Sequence, residues 1–227
     1  MRYSIPILSS ILLFLFGCQT IPKQKKATPY NVLFITVDDL RPELGCYGSN
    51  LAQSPNIDAL AAKSLVFERA YCQAPICSPS RMSFLSGLRP HETDINNNKT
   101  HIRRKLPNVV TLPQHFKNLG YQTIGIGKVF HGGLTDTASW HVQSDGPPQR
   151  MYNLERNLKI NVPKTPPGQK SRRGRPYENA DVADGLYTDG MIVNRAVEEL
   201  DKLEKNQAFL LAVGFLKTHL PFNAPHK

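Results

Sequence analysis

Apolar positions in this chain form short unbroken runs, separated by stretches in which they recur at helical spacing. Asn31 to Val37 (NVLFITV) is nearly continuous and rich in β-branched residues, and it ends abruptly at Asp38-Asp39. Such a run reads as a strand buried in a parallel sheet. Ser54-Pro55-Asn56 opens a helix through Ile57, Leu60, Ala61 and Ser64, and Leu65-Val66-Phe67 follows as a short strand. Ser78-Pro79 has the form of an N-cap followed by proline at the first helical position. The helix it predicts carries Arg81, Phe84 and Leu85 and stops at Gly87. A further helix covers Leu112 to Leu119 with Gly120 as its stop. Gln122 to Ile126 is a second strand, turning at Gly127-Lys128. Residues 132–182 hold many Pro, Gly and polar residues and predict no element. A helix from Asp189 to Lys202 then places Ile192, Ala196, Val197 and Leu200 on one face. Phe209 to Phe215 (FLLAVGF) is a third buried strand. Strands alternating with helices define an α/β fold, a mostly parallel sheet flanked by helices.

The start of the chain follows a different pattern. Arg2 precedes an apolar stretch that includes Ile11 to Phe16, too short for a membrane span of about 20 residues. It reads as a targeting segment. Leu15-Phe16-Gly17-Cys18 resembles a bacterial lipobox. That resemblance implies an exported lipoprotein: residues 1–18 as signal peptide, lipid on Cys18, and membrane attachment through that lipid. Residues 19–29, with Pro22, Lys23, Lys25 and Lys26, form a polar tether. The expected location is the periplasm or the outer membrane and cell surface, with Gln19 after the cysteine pointing to the outer membrane.

Charge narrows the partners without choosing one. Lys and Arg number 28 against 18 Asp and Glu, a formal net charge of +10. An excess of this size suits nucleic acid, a membrane surface or an acidic glycan, and export argues against nucleic acid. A basic run holds Arg156, Lys159, Lys164, Lys170, Arg172, Arg173 and Arg175 with no acid between them. It is either a solvated loop or a rim that draws in a polyanionic chain. The four cysteines, Cys18, Cys46, Cys72 and Cys77, lack the CxxC spacing of zinc sites. Cys46 and Cys72 are free to pair or to remain thiols.

Parallel sheets place their chemistry at the carboxyl ends of strands. Here those ends carry Asp38-Asp39, then Lys128 and His131, then Lys217 and His219. Adjacent carboxylates suit a hard divalent cation, though they serve equally in turns. Lys217 reads either as a substrate contact or as a turn residue.

Cys77-Ser78-Pro79-Ser80-Arg81, continued by Met82 to Gly87, resembles the C-x-P-S-R signature of the type I, formylglycine-dependent sulfatases of the alkaline phosphatase-like superfamily. The chain is most similar to the iduronate-2-sulfatase-like branch. Asn31 to Pro42 resembles that branch's opening strand, Gly127-Lys128-Val129-Phe130-His131 its G-K-V-F-H turn, and Ala212 to Phe222 its A-V-G-[YF]-x-K-P-H-x-P-F segment. Two segments depart from the pattern: Leu85 to Arg89, with Ser86 and Leu88 where the family has L-T-G-R, and Thr218, where the branch has proline.

The resemblance implies a sulfuric ester hydrolase acting on a sulfated sugar or polysaccharide. Cys77 would be oxidised to formylglycine by a formylglycine-generating or sulfatase-maturing enzyme. Asp38, Asp39 and the modified Cys77 would hold calcium. Arg81 would steady the hydrated aldehyde and Lys128 would contact sulfate. His131 would act as base, and His219 would serve the departing alcohol. It also implies that residues 30–227 are the N-terminal part of a longer catalytic domain, with further calcium ligands and a second lysine beyond Lys227. Alone, such a part is expected to be inactive, with strand 209–215 left as an apolar edge. Two alternatives remain open: a phosphonate or phosphodiester hydrolase of the same superfamily, and an inactive glycan-binding fragment.

Overall fold

A computed structural model describes residues 29–144, 151–158 and 174–226. The Cys18 lipobox, almost all of the tether, and the basic run from Lys159 to Arg173 lie outside these residues. Among the described residues no helix is long and apolar enough to cross a membrane.

The chain enters through β1 (Val32–Val37), followed by α1 (Pro55–Ala61), α2 (Cys77–Ser86), α3 (Pro90–Thr93), α4 (Ile102–Lys105) and α5 (Leu112–Asn118). Next come β2 (Gln122–Gly127), β3 (Val142–Ser144), α6 (Glu155–Leu158), β4 (Tyr177–Ala180), α7 (Thr188–Asp201), β5 (Phe209–Phe215) and β6 (Phe222–Pro225). Four strands form a parallel sheet in the order β1-β5-β2-β3, and β4 pairs with β6 in a separate two-stranded sheet.

β5 explains the layering. Alternate residues of a strand face opposite sides. Leu210 and Ala212 pack with Met82 and Leu85 of α2, Ile102 of α4, and Phe130 and Trp140. Leu211 and Val213 pack with Ile124 and Ile126 of β2 and with Ile192 and Ala196 of α7. β5 is therefore covered on both faces, as its unbroken apolar run requires.

Three sequence expectations are corrected. Phe209–Phe215 is not an edge, because the chain returns between β1 and β2 and both sides of β5 are paired. Among the described residues the apolar edge is β1, whose Leu33 and Ile35 are 56% and 51% exposed. Leu65 to Phe67 forms no strand; Leu65 and Phe67 are largely exposed, off the sheet. Helix α2 starts two residues earlier than its Ser-Pro signal suggests, with Ile76 as N-cap and Cys77 opening the first turn. The Ser78 hydroxyl makes no cap; its backbone N–H instead donates to Asn98 Oδ1 at 2.9 Å. A side chain from a distant loop supplies the acceptor that a local cap would have supplied. The stop at Gly87 is as expected, with φ of 73° that glycine adopts without strain.

Candidate active site

Asp38 extends β1 by one residue, donating its N–H to Phe215 O at 3.1 Å, and is 3% exposed. Its Oδ1 accepts from Arg81 Nη2 at 2.9 Å, and its Oδ2 accepts from Lys128 Nζ in a close ion pair. Burial pushes the Asp38 carboxyl up, but the hydrogen bonds and charges of Lys128 and Arg81 outweigh it and hold the pKa below the usual value. Arg81 lies one helical turn beyond Cys77, on the same face of α2. Its Nη1 also donates to the carbonyls of Lys128 and, at 3.0 Å, Val129. One guanidinium thus ties together the end of β1, helix α2 and the turn after β2.

Lys128 Nζ lies 3.9 Å from Cys77 Sγ. Both residues, with Asp38, Asn98, His131, Tyr152, Lys217 and His219, line a cavity of about 520 Å³ at the carboxyl ends of the strands. A neighbouring hollow of about 560 Å³ shares Asp38, Cys77, Asn98 and His219 and adds Asp39, Cys72 and Arg81. Ligand atoms of Asp38, Cys77 and His219 lie within 4.8 Å of one another. Asp39 stands apart from that trio. It is exposed, with φ of 58°, and its carbonyl accepts from Thr218 Oγ1 at 3.0 Å. Cys46 and Cys72 are free thiols.

The two histidines are held differently. His219 Nδ1 bonds Leu220 O at 2.8 Å; a carbonyl only accepts, so Nδ1 carries the proton and Nε2 is left for the cavity. His131 Nδ1 is buried without a partner. Burial, then the charges of Lys128 and Arg81, lower the His131 pKa below that of a free imidazole, so the ring is neutral near pH 7. As pH falls, the unfolded chain therefore takes up a proton on this residue before the folded one does. The stability contributed is full above about pH 6.5, the unfolded value, and is lost as pH falls through the lower folded value. His141, lowered by burial and Lys117, acts in the same direction. His131→Gln should flatten the acid-side slope of urea midpoint against pH between roughly 5 and 7, and an unchanged slope would refute this assignment.

Sequence reading missed three supporting residues. Asn98 caps α2 and faces both hollows, but only its polar triplet, Asn96-Asn97-Asn98, marks it in the sequence. Tyr152 lines the cavity with its hydroxyl on Arg175 O at 2.6 Å. Asp189, visible only as an acid in the first turn of α7, accepts from the backbone N–H groups of Leu216 and Lys217 at 2.9 and 2.8 Å.

A thiol at a helix start, an adjacent lysine, and an arginine and aspartate beneath them form a basic, anion-receiving centre on an α/β sheet. The chain belongs to the sulfatase family: the family model described as Sulfatase matches residues 30–227. Iduronate 2-sulfatase of Homo sapiens is 40% identical over 203 residues, covering 86% of this chain and 36% of the human protein. A sulfatase of Formosa agariphila is 34% identical over 229 residues, covering 94% of this chain and 44% of that protein. The chain thus spans well under half the length of these curated relatives. Among solved structures, a protein in complex with its substrate D-glucosamine-2-N,6-O-disulfate superposes with a TM-score of 0.61 at 23% identity, over 83% of this chain and 34% of that one. The phosphonate monoester hydrolase of Agrobacterium radiobacter also superposes with a TM-score of 0.61, at 20% identity, over 87% of this chain and 42% of that one. At those identities the likeness is one of fold, a parallel sheet with flanking helices.

Proposed function

We propose that the protein removes sulfate from a sulfated sugar or polysaccharide, with the nucleophile made from Cys77. The observation that carries this reading is Lys128 Nζ, ion-paired to Asp38 and 3.9 Å from Cys77 Sγ at the first turn of a helix. A cation and the free N–H groups of a helix start both favour a sulfate-like anion at that point. The names of the relatives point to sulfated sugars as the substrate class.

Oxidised to formylglycine and hydrated, position 77 supplies a geminal diol, an oxygen nucleophile with a second hydroxyl through which bound sulfate is shed. The chain's own residues set the stage for it. Arg81 neutralises Asp38 and braces the Lys128 turn. Lys128 places its charge where sulfate oxygens gain electron density. Neutral His131 accepts a proton beside position 77, and His219, as an imidazolium whose Nδ1–H stays on Leu220 O, gives its Nε2 proton to the departing alcohol, a poor leaving group without it.

Calcium is tested by donor chemistry. A thiol, an imidazole and a carboxylate are softer than the oxygen set calcium prefers. The set fits calcium only when oxygen replaces sulfur at position 77. Asp38 and the modified residue would then hold the ion, with Asp39, on the wall of the neighbouring hollow, as a further carboxylate, and the ion would add positive charge at the sulfate. The same reading has the protein exported, tethered by lipid on Cys18, and matured by a formylglycine-generating partner.

Mass spectrometry of the Cys77 peptide from protein purified from its native host should show the thiol replaced by an aldehyde. That protein should release sulfate from 4-nitrophenyl sulfate and lose the activity on calcium chelation. Full activity with unmodified cysteine would refute the nucleophile. Faster turnover of an aryl phosphodiester would favour the phosphonate or phosphodiester hydrolase reading, to which the Agrobacterium fold neighbour gives support.

A further inference from the structure

Lys217 follows β5 by two residues, and its side chain is engaged in a way the sequence does not reveal. Its half-buried ammonium donates to His219 O at 2.8 Å and to Pro221 O at 2.6 Å. The segment 216–221 therefore folds around this one side chain. Asp189 grips the segment's start through the N–H groups of Leu216 and Lys217. Thr218 ties its middle to Asp39, and His219 N–H closes back onto Leu216 O at 3.0 Å. His219 belongs to no helix or strand, so these bonds are what set its position.

A lysine is an expensive brace. Burial lowers its pKa, opposed by the charges of Asp189 and Asp38. An ammonium nevertheless reaches carbonyls of two different peptide groups at once, which a hydroxyl, with its single proton, does not. The carbonyls it binds flank the ring that must meet Asp38 and Cys77.

We infer that Lys217 is a positioning residue for His219, fixing the imidazole toward the leaving-alcohol side of the cavity rather than contacting sulfate itself. The inference rests on the proposed role of His219 as proton donor to the alcohol. A misplaced donor matters little when the leaving group is a stable phenolate and much when it is basic. Loss of Lys217 should therefore act on kcat in proportion to leaving-group pKa.

The test uses the mature protein and three substrates of rising phenol pKa: 4-nitrophenyl, phenyl and 4-methoxyphenyl sulfate. Lys217→Met keeps the apolar stem and drops the donors. It should leave 4-nitrophenyl sulfate nearly unchanged and slow 4-methoxyphenyl sulfate by roughly 10- to 100-fold, within the range of general acid catalysis. Lys217→Arg, which keeps charge and donors, should restore most of the rate. His219→Ala should steepen the same plot of log kcat against leaving-group pKa, and the double variant should be no steeper than His219→Ala alone. Should Lys217→Met fail to fold, Lys217→Gln, with one amide donor group, carries the same comparison. A uniform loss on all three substrates, or a rise in KM alone, would overturn the positioning role. A steeper plot for His219→Ala with an unchanged one for the Lys217 variants would overturn it while leaving the function reading intact. An unchanged plot for His219→Ala would overturn both.

Discussion

Asp38→Asn is expected to lower the folding free energy by about 3–5 kcal/mol, the usual cost of breaking a buried ion pair from one side. Among the described residues Asp38 is the one acid that pairs with both Arg81, whose side chain is 5% exposed, and the largely buried Lys128, at 14%. Asparagine keeps the shape and one acceptor but leaves both positive charges without a counter-charge at a position only 3% exposed. Urea unfolding followed by Trp140, the single tryptophan and itself 5% exposed, measures this directly. The loss should depend little on salt, because buried pairs are poorly screened. Turnover should fall by at least roughly a thousandfold, since Lys128 and Arg81 both lose the group that aims them. Asp39→Asn is the matched control. Asp39 is exposed and takes a backbone conformation that asparagine also tolerates, so stability should change by under about 0.5 kcal/mol. Equal destabilisation by the two substitutions would refute the central place given to Asp38.

Gly214→Ala is expected to do comparable damage from outside the cavity. β2 and β5 meet in register at Gly127 and Gly214, and Lys128 N–H donates to Gly214 O at 2.8 Å. A methyl group on Gly214 would collide with the Lys128 carbonyl and lie 2.5 Å from the Val129 nitrogen. These are backbone atoms, so no side chain can swing aside. They also form the peptide group whose carbonyl, that of Lys128, accepts from Arg81 Nη1. Overpacking of this kind costs typically 1–3 kcal/mol, and here the upper end is expected because the strain falls on a paired strand end. The shift should also draw Lys128 away from position 77, so activity should fall by more than the loss of folded protein explains. Gly132→Ala, where an added methyl meets nothing within 4 Å, should leave stability within about 0.5 kcal/mol. A Gly214→Ala protein with wild-type midpoint and rate would show that the turn after β2 is not the rigid platform described.

The site was largely legible because its residues stand where local pattern changes abruptly. Val37 gives way to Asp38-Asp39, Ile126 to Gly127-Lys128, and Phe215 to Leu216-Lys217, each at the end of an apolar run. The C-x-P-S-R motif then marked Cys77 and Arg81 within one turn of helix. Other features were invisible because their partners are far away in sequence. Asn98 serves α2 from twenty residues on, and Asp189 holds Leu216 and Lys217 from a different helix. Leu65 to Phe67 failed as a strand because β-propensity expresses packing against neighbours, and among the described residues no strand pairs with it.

Periodicity and apolar runs were enough to determine an α/β chain with a parallel sheet, the stops at Gly87 and Gly120, and the residues delivered to the strand ends. These depend on interactions within a few residues, which a linear pattern records. Strand order was decided only in three dimensions, by the insertion of β5 between β1 and β2. So was the joint neutralisation of Asp38 by Arg81 and Lys128, across separations of 43 and 90 residues. Asp39 and His219 received their different distances from Cys77 in the same way, one turned outward and the other carried inward on a loop folded around Lys217. Each is a long-range contact, set by how the layers pack, and nothing in the local sequence encodes which distant group will arrive.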